Sequence, residues 1–402
     1  MFVWIPRYSY QIDSAGKKIN VSFLQGTSNR EADGKTTTKI VHPVFTNGSK
    51  NNYAEGGWDR ELPGIWIAKF EASGEENGNY VGNRSETSSS QTTAPTANTI
   101  VTVLPSVTSW RDISIGESQY RSRKMSTDTT NYGWTSGAVD THLIKNDEWG
   151  AVAYLCYSPY GNVPMTNNCG IWKDGIGYYN MYIGTGPYSK TNESTVYAYD
   201  ANHAYNTEIG VKASTTGNVY GIYDMAGGAW ERVAGYLDNG NYYLGCYGKS
   251  TTEYNAARLR MTAETYNKMA SCRGIGVNEV ASSFGYYGAY VNSSGKNDWN
   301  WFTNAEQPNT KTVTYGRAWD SDLVLIGHSC KPFVKRGGNV NNGANAGVFY
   351  SNITNGNSNN NNGFRPALVV GTSIHREVKN TSHPDGHGSR TLPIINLLSN
   401  KF

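Results

Sequence analysis

Residues Asn339–Arg365 read NVNNGANAGVFYSNITNGNSNNNNGFR. Eleven of the first twenty-four are asparagine, which favours neither helix nor strand, so local propensity does not separate a spacer from a folded surface. The flanks are different. FVKRGG (333–338) and GFRPALVV (363–370) are strand-like runs that could anchor both ends of the segment in a core. Asn-Gly pairs at Asn342, Asn355 and Asn362, and another at Asn239, are turn signals.

The whole chain has 402 residues, enough for one large domain or two ordinary ones. Its formal charge of +3 gives no reason to expect nucleic acid or an anionic membrane as partner. Charged residues make up only 17%, whereas Tyr (29), Gly (45) and Trp (11) are abundant. Disordered chains lack aromatics, so this composition indicates a loop-rich globular protein held together by aromatic side chains. The five cysteines, Cys156, Cys169, Cys246, Cys272 and Cys330, include no C-x-x-C pair and are read as buried free thiols. No apolar run approaches the ~20 residues of a membrane span. MFVWIPRYSYQI has neither a basic region nor a small-residue cleavage site, so it does not read as a signal peptide.

Along the chain, VWIPRYSYQI and KKINVSFLQG flank Asp13-Ser14-Ala15-Gly16 and read as a hairpin. Residues 27–52 are polar and irregular. ELPGIWIAKFEAS returns to strand, with Ile65, Ile67 and Phe70 on the inward side. Residues 74–100 form a Ser/Thr/Asn-rich exposed loop. The best helix is DTHLIKNDEWGAVAYLCYS, where Trp149, Val152, Ala153 and Cys156 make one apolar face and Asn146 or Asp147 can cap the start. A weaker helix starts near TSWRDISIGESQY. The expected organisation is an N-terminal hairpin and lead-in (1–60), a domain over 61–371 and a polar tail (372–402). In the tail, His383 and His387 are spaced like metal ligands, but Pro384 and two glycines work against a helix there. LPIINLL near the end suits docking on a partner surface or another subunit.

Five stretches, in order, resemble the formylglycine-generating-enzyme-like (sulfatase-modifying) family, whose fold is a variant of the C-type lectin fold. They are GIWIAKFEAS (64–73), LPSVTSWRD (104–112), HLIKNDEWGAVAYL (142–155), GNVYGIYDMAGGAWERV (217–233) and VKRGGNV with NNGFRPAL. The resemblance spans roughly residues 64–370 and implies an α+β lectin-like fold with few helices and short antiparallel strands. In YDMAGGAWE, Tyr223, Met225 and Trp230 supply apolar area, and Gly227 and Gly228 permit turns. Glu231 could pair with Arg336 or Arg365; no second acid or base lies at a spacing that would make it catalytic.

The family's oxidase chemistry uses two cysteines inside the closing segment. Carried over residue by residue, those positions fall near Asn342 and Gly347, and no cysteine follows Cys330. Thiolate chemistry and thiol-bound copper both need sulfur, so the chain is expected to keep the fold without the enzyme. No cofactor is expected. Residues 337–363 also lack Asp and Glu, which argues against calcium-dependent sugar binding at this surface and leaves a structural calcium elsewhere open.

The asparagine-rich stretch resembles the variable region of diversity-generating retroelement target proteins, which share the lectin-like fold and include phage tropism determinants and bacterial surface proteins. There, template adenines are randomised, and AAC codons become NNC codons that cannot encode Trp, Met, Gln, Lys or Glu. None of these occurs between Arg336 and Arg376. The resemblance implies a non-catalytic binding protein on a virion or cell surface, with a protein or glycan on a host or target cell as its ligand. Recognition surfaces favour Tyr, Ser, Gly and Asn. The expected ligand-binding residues are Asn341, Asn342, Asn345, Phe349, Tyr350, Asn352, Thr354 and Asn355, centred on the two aromatics. A structural virion or surface component without a specific ligand is the competing expectation, and a sulfatase-modifying-type oxidase the weakest.

Overall fold

The closing strand, Pro366–Val370, shows how the chain is tied together. It pairs antiparallel with Gly64–Ala68 on one side and with Val139–Leu143 on the other, and Phe2–Pro6 completes the sheet beyond Gly64–Ala68. The four-stranded sheet therefore joins three distant parts of the sequence to the asparagine-rich segment. In this computed structural model the described residues are 1–13, 18–46, 58, 60–81, 95–107, 109–135, 137–162, 204–238, 242–248, 331–338, 347–359 and 361–370, with the backbone of strands at 260–262, 290–291, 297–298, 313–317 and 323–328. The architecture is mixed α+β, loop-rich, with few helices and short, mainly antiparallel strands.

The second large sheet carries the segment of interest. Its strand order is Arg260–Thr262, Trp230–Asp238, Phe333–Gly337, Gly347–Thr354, Leu323–His328 and Val313–Arg317. Asn362–Phe364 lies parallel to Trp230–Asp238. Phe333–Gly337 and Gly347–Thr354 are antiparallel neighbours, with Lys335 opposite Asn352 and Arg336 opposite Ser351.

Several expectations change in three dimensions. The N-terminal run is two strands. It breaks at Arg7, whose buried guanidinium donates to Phe45 O (2.8 Å) and Asn29 Oδ1 (2.7 Å) and pairs with Glu61 (2.7 Å). Phe2–Pro6 then joins the four-stranded sheet, and only Tyr8–Asp13 makes the expected hairpin with Lys18–Phe23. Within 1–60, Ile5, Tyr8, Tyr10, Val44, Phe45 and Trp58 share one core with Trp149, Val334 and Phe349. The loop expected at 74–100 has structured ends, since Ser73–Glu76 pairs with Asn79–Val81 and with Ile100–Thr102; residues 82–94 lie outside the described residues. Ile65, Ile67 and Phe70 are fully buried, although the strand ends at Ala68. Cys156 is buried as expected, but Cys246 is exposed.

The two longer helices form where the pattern placed them. Ile115–Thr127 starts at Ser114, whose hydroxyl accepts from Glu117 N (3.2 Å). Asn146–Cys156 buries the expected face and, beyond it, Ala151 and Tyr154. Its start differs from expectation. Lys145 is the N-cap, and Glu148 Oε2 reaches back to accept from Lys145 N (2.8 Å). Asn146 is engaged elsewhere, accepting from Arg336 Nη1 at 3.2 Å. No helix among the described residues is long and apolar enough to cross a membrane.

Candidate functional site

The YDMAGGAWERV motif places the site's first strand. Gly227 and Gly228 both take left-handed backbone (φ +84° and +63°), which turns the chain so that Trp230–Asp238 enters the sheet. Glu231 points to the inner side and makes a two-point ion pair with Arg365, with Glu231 Oε2 2.9 Å from Arg365 Nε. Arg365 also donates to Ala68 O (2.7 Å) and Tyr223 O (2.8 Å). Arg336 lies opposite Glu231 in register but reaches Asn146 instead. Burial pushes the Glu231 carboxyl up to about 7 against the pull of Arg365. Burial, followed by the charges of Glu231 and Asp224, holds Glu71 well above the usual carboxylate range; Glu71 Oε1 accepts from Ala229 N at 3.0 Å. This centre ties the motif to the closing strand.

A second buried cluster is His142. One ring nitrogen lies 2.9 Å from Asp140 Oδ1 and the other 2.9 Å from Glu148 Oε1. Burial opposes its charge, but the Glu148 and Asp140 carboxylates outweigh burial and raise the imidazolium to about 9. With both nitrogens engaged and the ring fully buried, His142 is poorly placed to act as a base on a substrate. Both clusters fix neighbouring strands and helices.

The asparagine-rich segment, where described, is folded. Its main chain is held by groups outside it. Ile115 N donates to Gly356 O (3.0 Å), Asp112 N to Asn359 O (3.0 Å) and Trp230 N to Asn361 O (2.8 Å), and Arg232 Nη2 donates to Asn357 O. Asparagine side chains close local turns: Asn355 Oδ1 accepts from Asn357 N (3.2 Å) and Asn359 Oδ1 from Asn361 N (2.8 Å). Gly356 is the pivot, with φ +89° and its Cα facing the Phe333 ring. Asn355 and Asn357 are half-buried, and Ser358 and Asn359 are exposed. The Asn-Gly pair at Asn362 is no turn, because Asn362 and Gly363 are strand residues paired with Trp230 and Glu231.

The expected binding residues divide. Asn341, Asn342 and Asn345 lie outside the described residues. Phe349 and Tyr350 are corrected: neither is displayed. Phe349 is fully buried in the main core against Tyr157, ring centroids 5.0 Å apart. Tyr350 is only 4% exposed and packs on Trp230 at 4.6 Å. The two rings lie on opposite faces of the strand, Phe349 in the main core and Tyr350 on the other face under Trp230, and burial of each apolar area stabilises the fold. Thr354 is also buried, its hydroxyl accepting from Gly356 N (3.1 Å). Asn352 and Asn355 remain half-buried on the outer side.

What composition alone overlooks is the row across the sheet. Cross-strand partners share a face, so Arg232, Lys335 and Asn352 lie side by side, with Trp230 and Tyr350 next to them. Lys335 Nζ sits 4.4 Å from the Trp230 ring centroid and donates to Asn362 Oδ1 at 3.2 Å. Burial, then the charges of Arg232 and Lys331, lowers the Lys335 ammonium to about 7. Burial alone lowers Arg232 to about 9. The signal in the sequence was the alternation of WER against VKR, which needs the register to be read. Among the described residues no group of three or more His, Cys, Asp or Glu is arranged to hold a metal ion. No family model matches the chain, and no curated protein matches it in sequence.

Proposed function

We propose that this chain is a non-catalytic binding protein that displays a changeable surface on a C-type-lectin-like, sulfatase-modifying-factor-like scaffold, of the kind diversified by retroelements. One observation carries the reading. The main-chain carbonyls of Gly356, Asn357, Asn359 and Asn361 are held by Ile115, Arg232, Asp112 and Trp230, all outside the segment, while Asn355 and Asn357 are half-buried and Ser358 and Asn359 exposed. A backbone held from outside tolerates many side chains at its surface positions, which is what a diversified surface requires. The display set is therefore Asn352, Asn355, Asn357, Ser358 and Asn359, with the aromatics beneath as support. The ligand is a protein or glycan on a host or target cell, and the location a virion or cell surface. Absence of cysteine after Cys330 supports a non-enzymatic role over the sulfatase-modifying oxidation.

The test is the encoding locus. A near-repeat of the codons for residues 336–365, differing only where the repeat carries adenine and lying beside a reverse transcriptase gene, is the expected finding. A locus with no such repeat would sink the diversification reading.

A further inference from the structure

Arg232 is fully buried, and among the described residues no acid accompanies it. Its Nε donates to Ile113 O (2.9 Å) and its Nη2 to Asn357 O, while among the described residues Nη1 has no hydrogen-bond partner. Directly across the strand pair stands Lys335, a second cation. Among the described residues, the charges that bear on Lys335 are those of Arg232 and Lys331, and both are positive. Two neighbouring cations withdrawn from water without a carboxylate are costly, and a buried guanidinium N–H left unsatisfied adds to that cost. Another buried arginine, Arg365, is neutralised by Glu231. Among the described residues, the row Arg232–Lys335–Asn352 is thus an unbalanced positive site on the sheet face beside the display surface.

We propose that this row binds an oxyanion of the ligand, a carboxylate, sulfate or phosphate group, with Lys335 and the Asn352 amide as direct contacts and Arg232 supplying positive charge from behind. Lys335 and Asn352 are half-buried and reachable, whereas Trp230, Tyr350 and Asn362 are almost wholly buried. Among the described residues the site offers two reachable polar groups, which suits a single acid group. Partial withdrawal of the Lys335 ammonium from water strengthens a charge-assisted hydrogen bond to such a group. The Trp230 face and Asn362 Oδ1 hold the ammonium in place, so little ordering is left to the binding step.

This inference names the ligand chemistry of the proposed binding surface and rests on that reading, but its test needs no knowledge of the macromolecular partner. The full chain is titrated calorimetrically with inorganic phosphate and, separately, with acetate at constant ionic strength. Saturable one-site binding of at least one anion is expected. Lys335→Met should weaken it by about tenfold or more, the scale of one charged hydrogen bond, and Lys335→Arg should retain it. A second measurement needs no variant. Acylation of lysines by an anhydride, read by mass spectrometry, should be slowed at Lys335 by the bound anion and unchanged at exposed Lys35. Absence of saturable binding of both anions, equal binding by a folded Lys335→Met variant, or unaltered acylation of Lys335 at saturating anion would each overturn the proposal. Such a failure leaves the locus test of the display reading untouched.

Discussion

Replacing Gly356 with alanine separates scaffold from display within four residues of sequence. Gly356 has φ +89°, a region that costs an L-residue roughly 1–2 kcal/mol. A Cβ built there meets Phe333 Cδ2 at 2.7 Å, Phe333 Cε2 at 2.8 Å and Ile115 Cγ2 at 2.9 Å. Phe333 and Ile115 are both fully buried, so neither can swing away into solvent. Overpacking of this kind adds about 1–3 kcal/mol. Gly356→Ala should therefore lose about 2–5 kcal/mol. Ser358→Tyr, two positions on and exposed, should stay within about 0.5 kcal/mol of the parent. Urea unfolding followed by tryptophan fluorescence gives both values, and an unchanged m-value would attribute the shift in midpoint to stability alone. If the two variants prove equally stable, or if Ser358→Tyr is the more damaging, the division of the segment into held backbone and free side chains is wrong.

Phe349→Ala should cost about 3–5 kcal/mol, as a large side chain removed from a closed core does; the same unfolding assay reads it, and a loss under about 1 kcal/mol would return Phe349 to the surface. His142 gives a dependence on pH. Its folded-state value is raised from 6.5 to about 9, so the stabilisation it contributes is fully present below pH 6.5 and is lost as pH rises through 9. The stability gap between the parent and His142→Gln should shrink by about 3 kcal/mol between about pH 6 and about pH 10, from 1.36 kcal/mol per unit. A gap that does not change over that interval would mean that His142 is buried neutral.

The sequence by itself determined the elements whose signals are local. The helix Asn146–Cys156 follows from the three- and four-residue spacing of Trp149, Val152, Ala153 and Cys156, and the strand Gly64–Ala68 from its run of apolar residues. The two glycines of AGGAW marked a turn because few other residues take positive φ, and both do. Anchoring of the asparagine-rich segment at both ends was also legible, since VKRGG and GFRPALVV are apolar enough to be strands. What the sequence could not carry was register. Phe349 and Tyr350, consecutive in one strand, point to opposite faces; which face each takes depends on which residues of Trp230–Asp238 and Phe333–Gly337 lie opposite, and a slip of one residue exchanges them. Composition favoured the aromatics as a recognition surface; the tertiary structure buries both, because covering their area with Tyr157 and Trp230 stabilises the fold more than displaying it would. The choice of Arg365 over Arg336 as the partner of Glu231, and the meeting of Arg232 with Lys335, were likewise decided by pairing between strands distant in sequence, where no local pattern reaches.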